Sequence, residues 1–321
     1  MTTNGSNANS KTAVLLLAHG SPDRVEEIPE FLRYVTGGRP VPDAVVAEVQ
    51  HRYGLIGHSP LTEITLRQAQ ALSEQIQLPV YVGMRNWNPF IADTVRQMAA
   101  DGIERAVTIC LAPQNSRTSV GLYRSALQGQ LDTMPFECDF VESWHDHPLL
   151  IRAFAEKLKA GWTRGCEEAG EGLPVIFTAH SVPQRTIAEG DPYQQQAHDT
   201  AALVAMESGF LRMEDWTFAF QSQGMSGGPW LGPSVEDTIA DLQGRGHKGI
   251  FVQPIGFVCD HVEVLYDIDI GFRKFAADRD MKLWRAESLN DSPLFIAALV
   301  DVARSRLATG APPQKIVQIK V

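Results

Sequence analysis

The sequence predicts an α/β fold of two similar lobes, each a parallel sheet flanked by helices, with the active-site cleft between them. Two observations carry this expectation. Short apolar runs of strand length alternate with longer amphipathic stretches along almost the whole chain, the pattern of buried parallel strands joined by helical crossovers. The chain also repeats itself. "AVLLLAHGSP" (13–22) matches "PVIFTAHSVP" (174–183), "VYVGMRNWNPFIADTV" is loosely echoed by "FAFQSQGMSGGPWLGPSVEDTI", and "AVTICLAPQNS" by "GIFVQPIGFVCDH". Three echoes in one order indicate two lobes of one plan.

Taken in order, "MTTNGSNANSK" is polar, lacks the apolar segment of a leader peptide and reads as a disordered tail over 1–11. "AVLLLA" is the first strand. "SPLTEITLRQAQALSEQI" is a helix, with Ser59 as its N-cap, Pro60 at its first position and Glu63 supporting that end. "VYVGM" and "AVTICLA" are strands separated by the helix "PFIADTVRQMAADG". The helix "PLLIRAFAEKLKAGW" opens the second half, followed by the strands "VIFTA" and "WTFAFQ", the helix "SVEDTIADLQGRG" and the strand "GIFVQPIG". These place the first lobe at 12–148, the second at 149–288, a helix packing back on the first lobe at 289–308, and a tail at 309–321.

Composition narrows the function. Of 321 residues, 44% are hydrophobic and 21% charged, ordinary for a globular protein. A net charge of -10 argues against a nucleic-acid surface but allows a local basic patch. The four cysteines, at 110, 138, 166 and 259, form no C-x-x-C, so zinc-knuckle and iron–sulfur motifs are missing. Free thiols suit a reducing compartment, and the longest apolar runs are too short to span a bilayer, so a cytoplasmic protein is expected.

Ligands of parallel sheets bind beyond the carboxyl ends of the strands. Those ends carry His19, Arg85–Asn86, Gln114–Asn115–Ser116, His180, Gln221–Ser222–Gln223 and Asp260–His261–Glu263. The last group belongs to "PIGFVCDHVEVLYDID" (254–269). Helical spacing there would align Asp260, Glu263 and Asp267 on one face while Val264, Leu265 and Ile268 pack. Such acids could simply be helix-dipole partners. With a histidine at each of two equivalent strand ends, they could equally bind a metal or move protons. No G-x-G-x-x-G opens a helix after the first strand, and neither G-x-x-x-x-G-K-[ST] nor G-x-S-x-G fits the strand ends. Arg52, Tyr53, Trp87, Tyr123 and Trp230 could wall a large ligand.

The motifs "HRYGLIGHSPLTEIT", "LAPQNS..SVGLY", "FTAHSVP", "GDPY", "QSQG....PWLGP" and "GFVCDHVEVLYDID" are similar to those of the ferrochelatase family, over roughly 12–307. The chain resembles most the soluble bacterial type, without a membrane-binding lip or a cysteine-rich C-terminal extension. The resemblance implies two Rossmann-like lobes and insertion of Fe2+ into a porphyrin, with coproporphyrin III expected and protoporphyrin IX the alternative. A cobalt or nickel chelatase and a haem-binding carrier on the same fold are the remoter readings. It implies Fe2+ as substrate, no tightly bound cofactor, no iron–sulfur cluster, and a monomer that meets other haem-pathway proteins only transiently.

By the same resemblance, His180 and Glu263 are the catalytic and metal-ligating pair, with Asp260, His261 and Asp267 orienting them. Arg52, Tyr53, Ser59 and Tyr123 would surround the propionates and ring edge, while Gln221, Ser222 and Gln223 line the cleft. His19 would be an axial ligand of product haem on the opposite face. Three positions depart from the family pattern. His19 stands where coproporphyrin-type relatives commonly have Tyr and the others Met. Gly271 stands where a further acid is frequent, and Thr36 and Gly37 where coproporphyrin-type relatives are more basic, leaving Arg39 as the nearest guanidinium.

Overall fold

The computed structural model describes residues 11–131, 136–209, 211–212, 214–224 and 228–309. Both expected tails therefore lie almost wholly outside the described residues. Among the described residues, eight strands form two parallel sheets of four. The first holds β1 (Thr12–Ala18), β2 (Val80–Met84), β3 (Arg105–Cys110) and β4 (Glu137–Val141) in the order β2-β1-β3-β4. The second holds β5 (Val175–His180), β6 (Trp216–Gln221), β7 (Gly249–Pro254) and β8 (Lys282–Arg285) in the order β6-β5-β7-β8. The two orders are the same, so the repeated sequence segments occupy equivalent strands. The apolar runs foresaw six of these strands but neither β4 nor β8, both at sheet edges. "ECDFV" and "KLWR" mix charged and partly exposed positions into short segments, and an edge strand needs no unbroken apolar run.

Among the described residues, twelve α-helices connect the strands. In the first half these are α1 (Ile28–Val35), α2 (Asp43–Ile56), α3 (Leu61–Ile76), α4 (Ile91–Ala100) and α5 (Val120–Leu131). Next come α6 (Pro148–Ala169), α7 (Gln184–Ala188), α8 (Tyr193–Ser208) and α9 (Val235–Gly244). The last are α10 (Val262–Leu265), α11 (Arg273–Ala277) and α12 (Pro293–Thr309). One apolar cluster joins both sheets: Leu16 of β1, Phe177 of β5 and Phe251 of β7 pack with Phe154 of α6, Ala201 of α8 and Phe295 of α12. α12 runs against α3 and β3 of the first lobe and also against α6.

Two local expectations are corrected. Ser59 does not cap α3: Pro60 is the residue before the helix, and its carbonyl accepts the first turn's hydrogen bond from Ile64 N at 2.9 Å. Ser59 sits one residue too early, and its Oγ is buried without a partner among the described residues. The segment after β7 is also not one regular helix. His261 is extended (φ -163°), α10 is one turn long, and Asp267–Phe272 is π-helical, with Gly271 N donating to Tyr266 O at 2.8 Å. Asp260 therefore precedes the helix and does not share a face with Glu263. π-helical turns of this kind re-aim side chains, frequently at functional sites.

Candidate active site

His19 follows the last residue of β1 and His180 ends β5, at the carboxyl ends of the two central strands. Each ring turns Nδ1 onto the next carbonyl: His19 toward Gly20 O at 3.0 Å, His180 toward Ser181 O. A neutral imidazole that donates from Nδ1 keeps its free lone pair on Nε2, so each backbone turn assigns the tautomer with a basic Nε2. His180 Nε2 lies 3.7 Å from Glu263 Oε2. That oxygen is buried and has no hydrogen-bond partner among the described residues. An unpartnered carboxylate oxygen is costly to hold in a fold, and it is an available acceptor for a proton or a cation.

The pair is held from behind. Tyr193 in "GDPY" donates its hydroxyl to His180 O at 2.9 Å from a buried position. Gln221, buried at the end of β6, accepts from Thr178 Oγ1 at 3.1 Å and donates to Glu263 O at 2.8 Å. It thus ties β5, β6 and α10 together. Gly256 lets the chain leaving β7 pass β5, since a Cβ there would stand 2.7 Å from Ala179 Cβ.

A second carboxylate lies beside Glu263. Asp267 accepts from Ser222 Oγ and sits 3.7 Å from Arg52 Nη1. Burial, then the Glu263 charge, raise its pKa from 3.8 to about 6. Arg52 also pairs with Glu48 at 2.8 Å and lies over the Tyr266 ring at 5.0 Å. Because Asp267 is easier to protonate folded than unfolded, it lowers stability as pH rises from about 4 to about 6. Asp267→Asn is therefore expected to be more stable than wild type at pH 7, by up to about 3 kcal/mol at 1.36 kcal/mol per pKa unit, with the gain vanishing near pH 4. Urea unfolding at both pH values checks this, and an equal difference at the two would contradict it.

Asp260 faces the other way. Its carboxylate takes Ser288 Oγ at 2.7 Å, Asn290 Nδ2 at 2.9 Å and Arg285 Nη2 at 3.4 Å, while Arg285 also forks onto Asp269 at 2.7 and 2.8 Å. Asp260 pins the loop carrying Glu263 and contributes nothing to its acidic face. His261 Nδ1 lies 3.0 Å from Cys259 O, and its ring packs against Phe257 at 4.6 Å. Arg285, Ser288 and Asn290 had no signal in the sequence, because only the tertiary fold brings them to Asp260. Tyr193 lay within a recognised motif but carried no assigned role.

His19 has its own surroundings at the end of β1. Asn86 Nδ2 donates to His19 Nε2 at 2.9 Å, and the Phe31 ring meets the imidazole edge-on at 5.9 Å. Solvent reaches the ring through the cleft, yet protein encloses it closely. Desolvation and then the Arg85 charge pull its pKa down to about 4. It is therefore neutral at pH 7. The partly buried Arg85 guanidinium stands 5.7 Å from the Tyr123 ring centre, and its Nε has no partner among the described residues. Tyr53 bonds Ser21 Oγ at 2.8 Å, and burial pushes its pKa to about 12. Ser59 Oγ, Tyr53 and Tyr123 are buried, and so is Trp87, whereas Gln223 is exposed and Trp230 partly so.

The side chains of Gln114 and Ser116 and the backbone of Asn115 are engaged with the second half of the chain. Gln114 donates to Thr200 Oγ1 and Ile255 O, both at 3.1 Å, Asn115 N to Gln196 Oε1 at 2.6 Å, and Ser116 Oγ to Asp191 at 3.1 Å. They bind the first lobe to α8 and its approach. Thr36 bonds Leu32 O at 2.9 Å, and Arg39 is exposed with its Nε on Thr36 O at 3.0 Å. Among the described residues no three His, Cys, Asp or Glu side chains gather, so a metal held in this cleft needs donors from a second ligand.

The ferrochelatase family model matches residues 11–307. The chain is 54% identical over 311 residues to the ferrochelatase of Acidobacterium capsulatum, covering 92% of this chain and 95% of the relative. It is 36% identical over 310 residues to the coproporphyrin III ferrochelatase of a Geobacillus species, covering 94% and 99%. Its fold is similar to that of a sirohydrochlorin chelatase from Bacillus subtilis subspecies spizizenii, with a TM-score of 0.57 at 9% identity, covering 94% of this chain and 97% of that one. No described helix is long and apolar enough to cross a membrane.

Proposed function

The chain belongs to the ferrochelatase family of metal-inserting enzymes, and from that premise we propose that it inserts Fe2+ into coproporphyrin III to give coprohaem. The observation that carries the chemistry is the pair His180 Nε2 and Glu263 Oε2, 3.7 Å apart, with the Glu263 oxygen buried and without a hydrogen-bond partner among the described residues. Insertion removes two pyrrole N–H protons while Fe2+ exchanges water for ring nitrogens. The free Nε2 lone pair of His180 takes a proton from the ring, and Glu263 accepts it or meets the arriving ion. Asp267, near pKa 6, passes the proton outward past Ser222. Asp260, Tyr193 and Gln221 keep the pair in place.

Coproporphyrin carries four carboxylates. Arg52 at the mouth and Arg85 within are the guanidinium groups that face them, with Ser59, Tyr53 and Tyr123 beside them. The Geobacillus relative supports this substrate. An anaerobic assay with Fe2+ and each porphyrin tests it: a higher kcat/KM for coproporphyrin is expected, and equal values would overturn the choice. Arg52→Ala should raise KM for coproporphyrin by roughly 1.5- to fivefold, since a half-exposed ion pair contributes about 0.2–1 kcal/mol. A loss of thermal stability without a KM effect would assign Arg52 to Glu48 and Asp267 alone.

His19 enters the proposal as the axial ligand of product haem. Its neutral Nε2, held by Asn86 at 2.9 Å, would exchange that bond for the iron. The visible spectrum of the enzyme–haem complex is expected to shift toward high spin in His19→Ala. Superimposable Soret and charge-transfer bands in the two proteins would exclude His19 as a ligand.

A further inference from the structure

The two strand-end histidines are built alike on one side of the ring and differently on the other. Both set Nδ1 against the carbonyl of the following residue. β2 lies beside β1 as β6 lies beside β5, with Ala18 level with Met84 and His180 level with Gln221. At or just past its end, each neighbouring strand offers a side-chain amide. Gln221 turns its amide to Thr178 Oγ1 and Glu263 O, and His180 Nε2 faces the Glu263 carboxylate at 3.7 Å. Asn86 turns its amide onto His19 Nε2 itself, at 2.9 Å. One lobe thus leaves the basic nitrogen of its histidine to a carboxylate, and the other covers it.

The chemistry of that covering bond is fixed by the turn behind it. A carbonyl only accepts, so the contact with Gly20 O makes Nδ1 the protonated nitrogen of a neutral ring, and Nε2 can then only accept. Asn86 must present its NH2 group there, not its oxygen. The residue is also anchored. Asn86 N donates to His19 O at 2.9 Å, so backbone and side chain are both clipped to the same histidine. Phe31 meets the His19 ring edge-on at 5.9 Å and the buried Trp87, next in the chain, at 6.3 Å. Asn86 itself is 1% exposed, whereas solvent in the cleft reaches His19.

We propose that Asn86 is a positioning residue that limits how tightly product haem is held, by competing with the iron for the Nε2 lone pair of His19; the proposal rests on the reading of His19 as the axial ligand. One lone pair serves one partner. When the Fe–Nε2 bond forms, the Asn86 hydrogen bond breaks, and no proton moves, because Nδ1 keeps its hydrogen on Gly20 O and the amide keeps both of its own. The displaced amide N–H belongs to a buried side chain, away from the water that would replace the lost partner. A buried donor left unpaired costs roughly 5- to 100-fold in an equilibrium constant. That cost is levied on the haem complex and is recovered when haem leaves, so the amide favours release of the product. The Nδ1 turn alone keeps the tautomer and aims the ring, so removing the amide frees the ligand without disorienting it.

Titration of the full chain with ferric coprohaem, followed in the Soret and charge-transfer bands, tests this in four proteins: wild type, Asn86→Leu, His19→Ala and the double variant. Leucine nearly matches the shape of asparagine and lacks the donor. Asn86→Leu should lower the haem Kd at least about fivefold and raise the low-spin share of the spectrum. Asn86→Ala, which adds no volume, should do the same and covers the case in which leucine does not fit. In the His19→Ala background the Asn86 substitution should change neither quantity. An unchanged or higher Kd in both Asn86 variants, with His19→Ala still altering the spectrum, would overturn the proposal and leave the axial-ligand reading standing. Tightening of equal size with and without His19 would overturn it too, since Asn86 would then act on the haem directly. A His19→Ala spectrum identical to wild type would remove the axial ligand itself, and the proposal with it.

Discussion

His180→Ala is expected to lower iron insertion by about 10²–10⁴-fold, the usual contribution of a positioned proton acceptor, while the protein keeps its fold. The fold should survive because the ring is only partly buried and, among the described residues, its side chain bonds the neighbouring Ser181 carbonyl, so truncation strands no deeply buried group. The backbone carbonyl that Tyr193 holds remains in place. Glu263→Gln keeps shape and removes charge. It should lose most of the turnover with porphyrin binding retained, because the amide can neither take a proton nor attract Fe2+. Since Glu263 raises the pKa of Asp267, the same variant should also move the proton affinity of Asp267 back toward the ordinary carboxylate value. The measurements are single-turnover insertion kinetics and porphyrin fluorescence titration. Near-native turnover in either variant would remove that residue from the catalytic pair. A fall in porphyrin affinity as large as the fall in rate would make it a binding residue only.

Much of this site was legible in the sequence for a physical reason. A buried parallel strand must be apolar almost throughout, so "AVLLLAH" and "VIFTAH" announce both the strand and the point where it stops. In a parallel sheet that point is where ligands bind, so two matched histidines at two strand ends mark a cleft in the sequence itself. What stayed hidden lacked such a local period. β4 and β8 lie at sheet edges and mix charge with apolar residues, so no run marks them. The π-helical turn at Asp267–Phe272 is set by packing, and assuming a regular helix put Asp260 on the wrong side. The clamp of Arg285, Ser288 and Asn290 on Asp260 joins residues about 25 to 30 positions apart, a separation that carries no periodic signal. Gln114 and Ser116 share the strand-end position of His19 and His180, yet their side chains are taken up by α8 and the segment before it.

The other large effect concerns the backbone that aims His19. Gly20→Ala is expected to destabilise the protein by about 2–5 kcal/mol, from two separable causes. Gly20 has φ +84°, a left-handed conformation that costs a residue with a Cβ about 1–2 kcal/mol. The added Cβ would also stand 2.8 Å from Trp87 N and 3.0 Å from Trp87 Cβ. Neither is the loose end of a flexible side chain, so backbone must move, and overpacking of this kind costs about 1–3 kcal/mol. Gly57 separates the causes, because it has φ +82° but nothing within 4 Å of its would-be Cβ. Gly57→Ala should therefore lose only the conformational part. Urea unfolding of the two variants measures the difference, and equal losses would show that the Trp87 contact costs nothing. The displacement has a second reading as well. Gly20 O accepts from His19 Nδ1, and Trp87 follows Asn86, which holds His19 Nε2. Pushing Gly20 and Trp87 apart strains both bonds that orient the imidazole. A folded Gly20→Ala protein should then show the haem spectrum of His19→Ala even though its histidine is intact, and a wild-type spectrum would show that the two bonds hold the ring independently of the glycine turn.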